Sequence, residues 1–247
     1  NSLPLDFTDT PMTPDEILKR FSNVSCNVVG LNILLSDEED LFFLDKLKNL
    51  GETLRTLFVT SSRISGHIKL KNIAILSLFK FLKEISLPKC HLLKSNNLLV
   101  FGSLYDLEVV VLSNCTEISV LGYEGGGYCF RNSRKLHTLN LGGCVKLENV
   151  VDLGLTPRLK NLDLTYCDSL KKLDLSRNHS LEVLNLGHCT GLDSLQVSLP
   201  IGGSMIKELN IHGSSLEKDY VCKTRQSGPL NVGSWNLLAR GLEIDGF

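Results

Sequence analysis

The chain has 247 residues and a formal net charge of -1, from 26 basic and 27 acidic residues. This balance excludes a strongly basic surface for nucleic acid or for an anionic membrane, so neither partner is predicted. No apolar run approaches the roughly 18 residues of a membrane span, and the first residues lack the pattern of a signal peptide. We predict an intracellular protein, cytoplasmic or nuclear, because five of its cysteines recur at one phase of a repeat, as shown below, and such buried thiols are typical of a reducing compartment.

The first 27 residues are predicted to form a helical cap. In "MTPDEILKRF", Thr13 is a typical N-cap residue and Pro14 suits the first helical position. Asp15 and Glu16 follow in the first turn, where the helix dipole favours negative charge. The apolar face of this helix consists of Ile17, Leu18 and Phe21. We expect that face to cover the first unit of the structure that follows.

One nine-residue phrase recurs between residues 28 and 214. It has the form Leu-x-x-Leu-x-Leu-x-x-Cys and is clearest in "LKNLDLTYC" and "LEVLNLGHC". Complete or substituted copies, 22 to 29 residues apart, begin at Val28, Leu54, Leu82, Leu107, Leu136, Leu159, Leu181 and Ile206. Repetition with such a period is typical of solenoids, in which each copy buries its apolar face against its neighbours.

The phrase resembles the signature of the leucine-rich repeat family. The resemblance implies an α/β solenoid of about eight coils, with a parallel β-sheet on its concave face. Residues 28–214 are assigned to these coils. Residues 215–247 lose the phrase and contain Trp235, so they are predicted to form a C-terminal cap, which a solenoid needs over its last coil.

The back of the coils is predicted to change along the chain. In the C-terminal half, apolar residues return at the third and sixth positions after the cysteine, as Leu170 and Leu173 do after Cys167. A coil of 22 residues has no room for a helix there, so mostly extended segments are expected on the convex face. The longer N-terminal coils have room for helices. These are expected in "SDEEDLFFLDKLKNLGE", with Ser36 and Glu39 as a capping box, and in "KLKNIAILSLFKFLKE".

Five cysteines recur at the end of the phrase, at Cys90, Cys115, Cys144, Cys167 and Cys189. A cysteine at one phase of a repeat is typical of a small buried side chain with a weak S–H donor. Their spacing is too wide for a metal site, which needs ligands that converge, so no metal is predicted. Stacked parallel strands do lie within possible disulfide reach, which leaves disulfides open in an oxidising compartment.

The residues between the inward leucines are predicted to form the concave surface. In the C-terminal half this surface carries a ladder of polar side chains, Asn140, Asp163, Asn185 and Asn210. It is flanked by the rings of Tyr166, His188 and His212. These seven residues are the proposed contact residues. Small residues at Gly142, Gly143 and Gly187 would let a partner's backbone approach. Two interpretations stay open. The ladder is either a solvated strand face whose neighbouring amides bond one another, or a contact surface for a partner.

The stretch "GYEGGGYCF", residues 122–130, lies in the 29-residue coil and is predicted to be a loop extruded from the solenoid. A phosphate-binding loop would need a lysine in phase and a following helix, and the sequence offers neither. Three aromatic residues, Tyr123, Tyr128 and Phe130, make the loop a possible second contact site.

No catalytic motif stands out, so no catalytic residue, cofactor or small-molecule substrate is predicted. We predict a non-catalytic protein–protein interaction module that binds a protein partner on its concave face, as a scaffold or as a subunit of a larger assembly. Two alternatives remain. The chain could be a target-recognition adaptor or receptor module of a longer protein, of the ubiquitin-ligase or immune/pathogen type. It could also be the repeat domain of an enzyme whose catalytic domain lies outside this sequence.

Overall fold

A computed structural model describes residues 3–22, 27–36, 41–62, 67–122, 128–150, 153–192, 197–200 and 206–217. The inner strands are β1 (Leu5–Met12), β2 (Val28–Leu35), β3 (Thr56–Ser61), β4 (Glu84–Ser86), β5 (Val109–Val111), β7 (Thr138–Asn140), β9 (Asn161–Asp163), β11 (Val183–Asn185) and β13 (Glu208–Asn210). They form one parallel sheet of nine strands in that order. Each strand therefore pairs with the strand of the next coil.

The sheet is in register with the repeated phrase. Leu139 pairs with Leu162, Leu162 with Leu184, and Leu184 with Leu209. Leu162 and Leu184 are each only 1% exposed. Because side chains alternate along a strand, this register sends the leucines inward and the residues between them to the concave surface. The predicted solenoid with a parallel concave sheet is thus confirmed.

The N-terminal segment contains the predicted helix and one strand that the sequence did not suggest. Helix α1 (Pro14–Phe21) has Thr13 as its N-cap, and Thr13 and Glu16 form a capping box. The backbone N–H of Thr13 donates to Glu16 Oε2 at 2.8 Å and holds the pKa of that carboxyl below its ordinary value. Strand β1 precedes the helix and pairs parallel with β2. The predicted division into two caps and a repeat region stays a prediction, since residues 218–247 lie outside the described part.

The convex face changes from helical to extended segments along the chain, as predicted, but the helices of the N-terminal half are of the 3₁₀ type. The helical segments there are 3₁₀ helices, at Leu41–Leu50, Ala74–Leu78 and Ser95–Ser103. In the first of them every third residue is a fully buried leucine, namely Leu41, Leu44, Leu47 and Leu50. A spacing of three matches the three residues per turn of a 3₁₀ helix, and all four leucines face the core, although Leu47 (φ -113°, ψ 30°) leaves helical geometry and divides the segment by a kink. The predicted capping residue Glu39 lies outside the described residues.

In the C-terminal half, the back of the coils carries a second parallel sheet. Its strands are β6 (Val120–Leu121), β8 (Asn149–Val150), β10 (Lys172–Asp174) and β12 (Val197–Ser198). One further 3₁₀ turn, Leu153–Leu155, lies between β8 and β9. The predicted extended segments are therefore confirmed. Within the described residues, no helix has the length and apolar character needed to cross a membrane.

Candidate functional site

The cysteine column forms a ladder of thiol hydrogen bonds between coils. The Sγ atoms of Cys115, Cys144, Cys167 and Cys189 donate to leucine carbonyl oxygens of the preceding coil at 3.1–3.3 Å. All four thiols are buried and free. Burial raises the pKa of the Cys189 thiol to about 12 and raises that of Cys167 further. A thiol kept protonated is a donor and a poor nucleophile, so this column is structural.

The residue before each of these cysteines has a left-handed backbone. Positive φ angles of 58–76° occur at Lys89, Asn114, Gly143, Tyr166 and His188, and Gly213 has a φ of 68° before Ser214. We call these six residues the left-handed column. The N–H groups of the first five donate to backbone carbonyls of the next coil, as that of Tyr166 does to Gly187 at 2.8 Å, whereas the N–H of Gly213 donates to Glu217 Oε2. The left-handed residue thus turns the chain off the inner strand while it continues the hydrogen-bond ladder.

The predicted ladder residues use their side chains to fix this turn. One Oδ1 atom in each of Asn140, Asp163, Asn185 and Asn210 accepts a hydrogen bond from the backbone N–H two residues later, at 2.9–3.1 Å. Such local bonding is typical of Asn and Asp at turns. The side chains therefore bond their own coil and do not bridge neighbouring amides as one interpretation expected. The second carboxylate oxygen of Asp163 has no partner within the described residues.

Three aromatic side chains form a continuous ridge at the end of the inner strands. The Tyr166 and His188 rings are parallel, with centroids 4.4 Å apart, and the His188 and His212 rings meet edge to face at 5.6 Å. His212 Nδ1 lies 3.7 Å from Glu217 Oε1. Tyr166 is 52% exposed. This ring ridge, Tyr166, His188 and His212, brings together three of the residues that the sequence predicted as contacts.

A groove of about 700 Å³ runs beside the ring ridge on the concave side. His67, Lys89 and His91 line its N-terminal end, whereas Asp163, Tyr166 and Asp168 line its C-terminal end. Partial burial lowers the pKa of His91, and the nearby His67 and Lys89 lower it further. The lysine at one end and the two carboxylates at the other are therefore separated along the groove, which gives it two electrostatically distinct ends.

Of the three predicted loop contacts, two lie within the described residues. Tyr123 lies outside the described residues. Tyr128 lines a separate pocket of about 330 Å³ over the second sheet, beside Asn149 and Lys172. Phe130 is fully buried and stacks on Phe101, with ring centroids 5.8 Å apart. The expectation that Phe130 is a surface contact is corrected, because its ring belongs to the core of its coil.

Sequence reasoning missed Asp168 and the pair His67–His91 as part of this surface, and it placed Lys89 on the surface without proposing it as a contact. Each lies outside the repeating strand core, or two coils away from the ladder. Facing nitrogens join His67 and His91, and the other ring nitrogen of His91 contacts Thr116 Oγ1 at 3.0 Å. Among the described residues, no group of three or more His, Cys, Asp or Glu side chains could hold a metal ion. The left-handed column could have been predicted in part, since two of its six residues are Gly and one is Asn, the types that most readily adopt positive φ.

The in-phase phrase, the parallel sheet and the thiol ladder together define a leucine-rich-repeat solenoid. No protein-family model matches the chain, and no curated protein matches it. Among solved structures, it is similar to the leucine-rich repeat domain of the type III effector XCV3220 (XopL), with 20% identity, a TM-score of 0.46 and coverage of 70% of this chain and 69% of that one. It is also similar to an internalin (inlF) from Listeria monocytogenes, with 14% identity, a TM-score of 0.49 and coverage of 79% and 64%.

Proposed function

We propose that this chain is a protein-interaction module that binds a protein partner on the C-terminal half of its concave face. The contact surface is the ring ridge with the ladder beside it, Asn140, Asp163, Asn185 and Asn210. On this proposal the chain performs no chemistry of its own and acts as a scaffold or as a subunit of a larger assembly.

The backbone conformation of the ring ridge carries the proposal. Tyr166 and His188 have φ angles of 58° and 59°, in a column where Gly143 and Gly213 meet the same requirement without a side chain. A non-glycine residue in this region costs roughly 1–2 kcal/mol, and such outliers tend to cluster at functional sites. The Tyr166 ring is half exposed, so the ring itself is not buried in the core of its coil. A binding role accounts for a tyrosine and a histidine at positions where the fold alone favours glycine.

The chemistry of the ridge supports the same conclusion. Tyrosine and histidine have an apolar ring and a polar end, so they give contact area together with directional hydrogen bonds. The turns that lead into the ridge are held by side chains of the ladder, since Asp163 and Asn185 each accept a hydrogen bond from the backbone N–H two residues later. A surface held rigid before binding loses little conformational entropy when a partner docks.

The test removes the rings without disturbing the backbone. The double variant Tyr166→Gly with His188→Gly places the residue that suits a left-handed backbone at both positions. Partner proteins are captured with the wild-type chain and identified by mass spectrometry, and each one's recovery on the double variant is then measured. We expect recovery to fall about tenfold or more, the effect of losing one interfacial aromatic anchor. The control is Tyr105→Ser, which removes a tyrosine that is 60% exposed in the turn before β5. Equal recovery on the double variant and the wild type would contradict the proposal.

A further inference from the structure

A slot interrupts the concave surface immediately before the ring ridge. Two consecutive glycines, Gly142 and Gly143, form its floor, and the coils on either side present Asn114 and Tyr166. A β-carbon on Gly143 would collide with Asn114 Oδ1, so the Asn114 amide leans over this glycine and forms one wall. The slot therefore has a polar wall on one side and a tyrosine on the other.

The Tyr166 ring has one face packed and one face towards the slot. His188 stacks on the first face at 4.4 Å with an angle of 1° between the rings. On the opposite side the neighbouring residue of the left-handed column is Gly143, which has no side chain to cover the ring. A flat group of about the thickness of a second ring would continue the stack in this direction.

Two carboxylates border the slot. A β-carbon on Gly142 would lie 3.3 Å from Asp163 Oδ2, which places this oxygen directly over the slot floor. Asp168 lines the same groove and is exposed. Within the described part of the chain, neither Asp163 Oδ2 nor the Asp168 carboxylate has a hydrogen bond or an ion pair. At the opposite edge of the sheet, Glu108 and Glu182 are each paired with lysine across coils.

We propose that this slot binds the guanidinium group of an arginine side chain presented by the protein partner; this deepens, and rests on, the function proposed above. The planar cation stacks on the open face of Tyr166, as guanidinium groups do on aromatic rings. Its N–H groups donate to Asp163 Oδ2, to Asp168 and to the Asn114 carbonyl oxygen. The lysine of the groove, Lys89, belongs to a coil two coils away, a backbone separation of roughly 10 Å from the slot floor, so salt screens its opposition to this charge.

Arginine is favoured over the other groups that a partner could present. An ammonium group of lysine can pair with a carboxylate but has no plane to stack on the Tyr166 ring. A phosphate or carboxylate would meet Asp163 and Asp168 at short range and be repelled. An uncharged aromatic ring could stack, but it would leave both carboxylates without a donor. Only a planar cation satisfies the ring face and the two carboxylates together.

The test is a titration of the isotope-labelled chain, followed through the amide resonances of Gly143, Thr165 and Tyr166. The probe is the acetyl-Gly-Arg-Gly-amide tripeptide, with the citrulline and lysine tripeptides as matched controls. Citrulline keeps the shape of arginine and removes its charge. We expect saturable shifts with the arginine peptide and a dissociation constant about tenfold or more higher with citrulline, with lysine between them. Equal affinity for arginine and citrulline would overturn the assignment.

Variants locate the binding site. Tyr166→Gly and Asp168→Asn are each expected to raise the dissociation constant of the arginine peptide about fivefold or more, whereas Asp15→Asn on α1 leaves it unchanged. The amide spectrum of each variant shows whether it is folded. Wild-type affinity in both slot variants would refute the proposal. If partner capture depends on the ring ridge but the arginine peptide does not bind, the slot assignment falls and the interaction surface stands. If the peptide binds but partner capture is independent of the ridge, the function proposed above falls instead.

Discussion

Position 166 provides a sharp test of the left-handed column, because a glycine there should give a more stable protein than an alanine, the reverse of the usual order of stability. In most places a glycine is less stable than an alanine, by about 0.4–1 kcal/mol, since it has more freedom to lose on folding. Tyr166 has a φ of 58°, where a side chain costs roughly 1–2 kcal/mol and glycine has no such cost. The difference of these two terms favours Tyr166→Gly over Tyr166→Ala by about 1 kcal/mol.

The stacking of Tyr166 on His188 determines how the free energy of unfolding of each variant compares with that of the wild type. Both variants lose the stack of Tyr166 on His188 at 4.4 Å, which contributes about 0.5–1.5 kcal/mol. Tyr166→Gly relieves backbone strain of similar size, so its free energy of unfolding should stay close to that of the wild type. Tyr166→Ala keeps the strain and loses the stack, so it should be destabilised by about 1 kcal/mol.

Urea unfolding followed by circular dichroism measures both differences, with the slope of the transition checked for constancy. The control is the same pair of substitutions at Thr165, one residue earlier, where φ is not positive. There the alanine variant should be the more stable of the two. If alanine is also at least as stable as glycine at position 166, the left-handed conformation does not carry the cost that underlies the proposed function.

Three other predictions follow from the core, the thiols and the surface charges. Leu162→Ala and Leu184→Ala should each cost about 2–5 kcal/mol in urea unfolding, and near-neutral values would mean that the register of the coils is wrong. Cys115, Cys144 and Cys167 should resist a thiol reagent in the native chain at pH 8 and react on unfolding, as mapped by mass spectrometry; labelling of the folded chain would contradict the thiol ladder. Hydrogen bonds from Lys207 and Lys160 lower the pKa of Glu182 to about 2. Because the folded-state pKa is depressed, the stabilisation is present above the ordinary pKa of 4.5 and is lost as the pH falls towards 2. A carboxyl titration by NMR should show this low pKa, and Glu182→Gln should remove that part of the acid dependence; an ordinary pKa would rule out the paired geometry.

The inner sheet was predictable from sequence because one signal, the phase of the leucines, sets both burial and register. Once Leu139, Leu162 and Leu184 are aligned, the residues between them must face the concave surface. The same signal was ambiguous on the back of the coils. Leucines at Leu41, Leu44 and Leu47 are compatible with one face of an α-helix and with one face of a 3₁₀ helix, and the structure has 3₁₀ geometry with a kink at Leu47.

The details of the site depended on geometry that the phrase does not encode. Asp163 was correctly placed at the surface, but whether its carboxylate faces a neighbour, solvent or its own turn is decided by a hydrogen bond over two residues. Phe130 follows a glycine-rich stretch of irregular length, so sequence alone did not show where the loop ends and the next buried segment begins. Its contact with Phe101, nearly thirty residues earlier, comes only from the stacking of coils.

The left-handed column links the fold to the proposed function. In the six coils from β4 to β13, a residue with positive φ ends the turn after the inner strand, and the buried cysteine or serine follows it. The same geometry sends the side chain of that residue outward, to the edge of the concave face. A glycine there serves the fold alone, whereas Tyr166 and His188 add surface chemistry at a local cost in backbone strain. In a solenoid the stability of a coil depends on its neighbours, so the leucine cores and thiol bonds of adjacent coils can offset this strain. We therefore expect substitutions in this column to change the surface chemistry of the concave edge while the register of the sheet is kept.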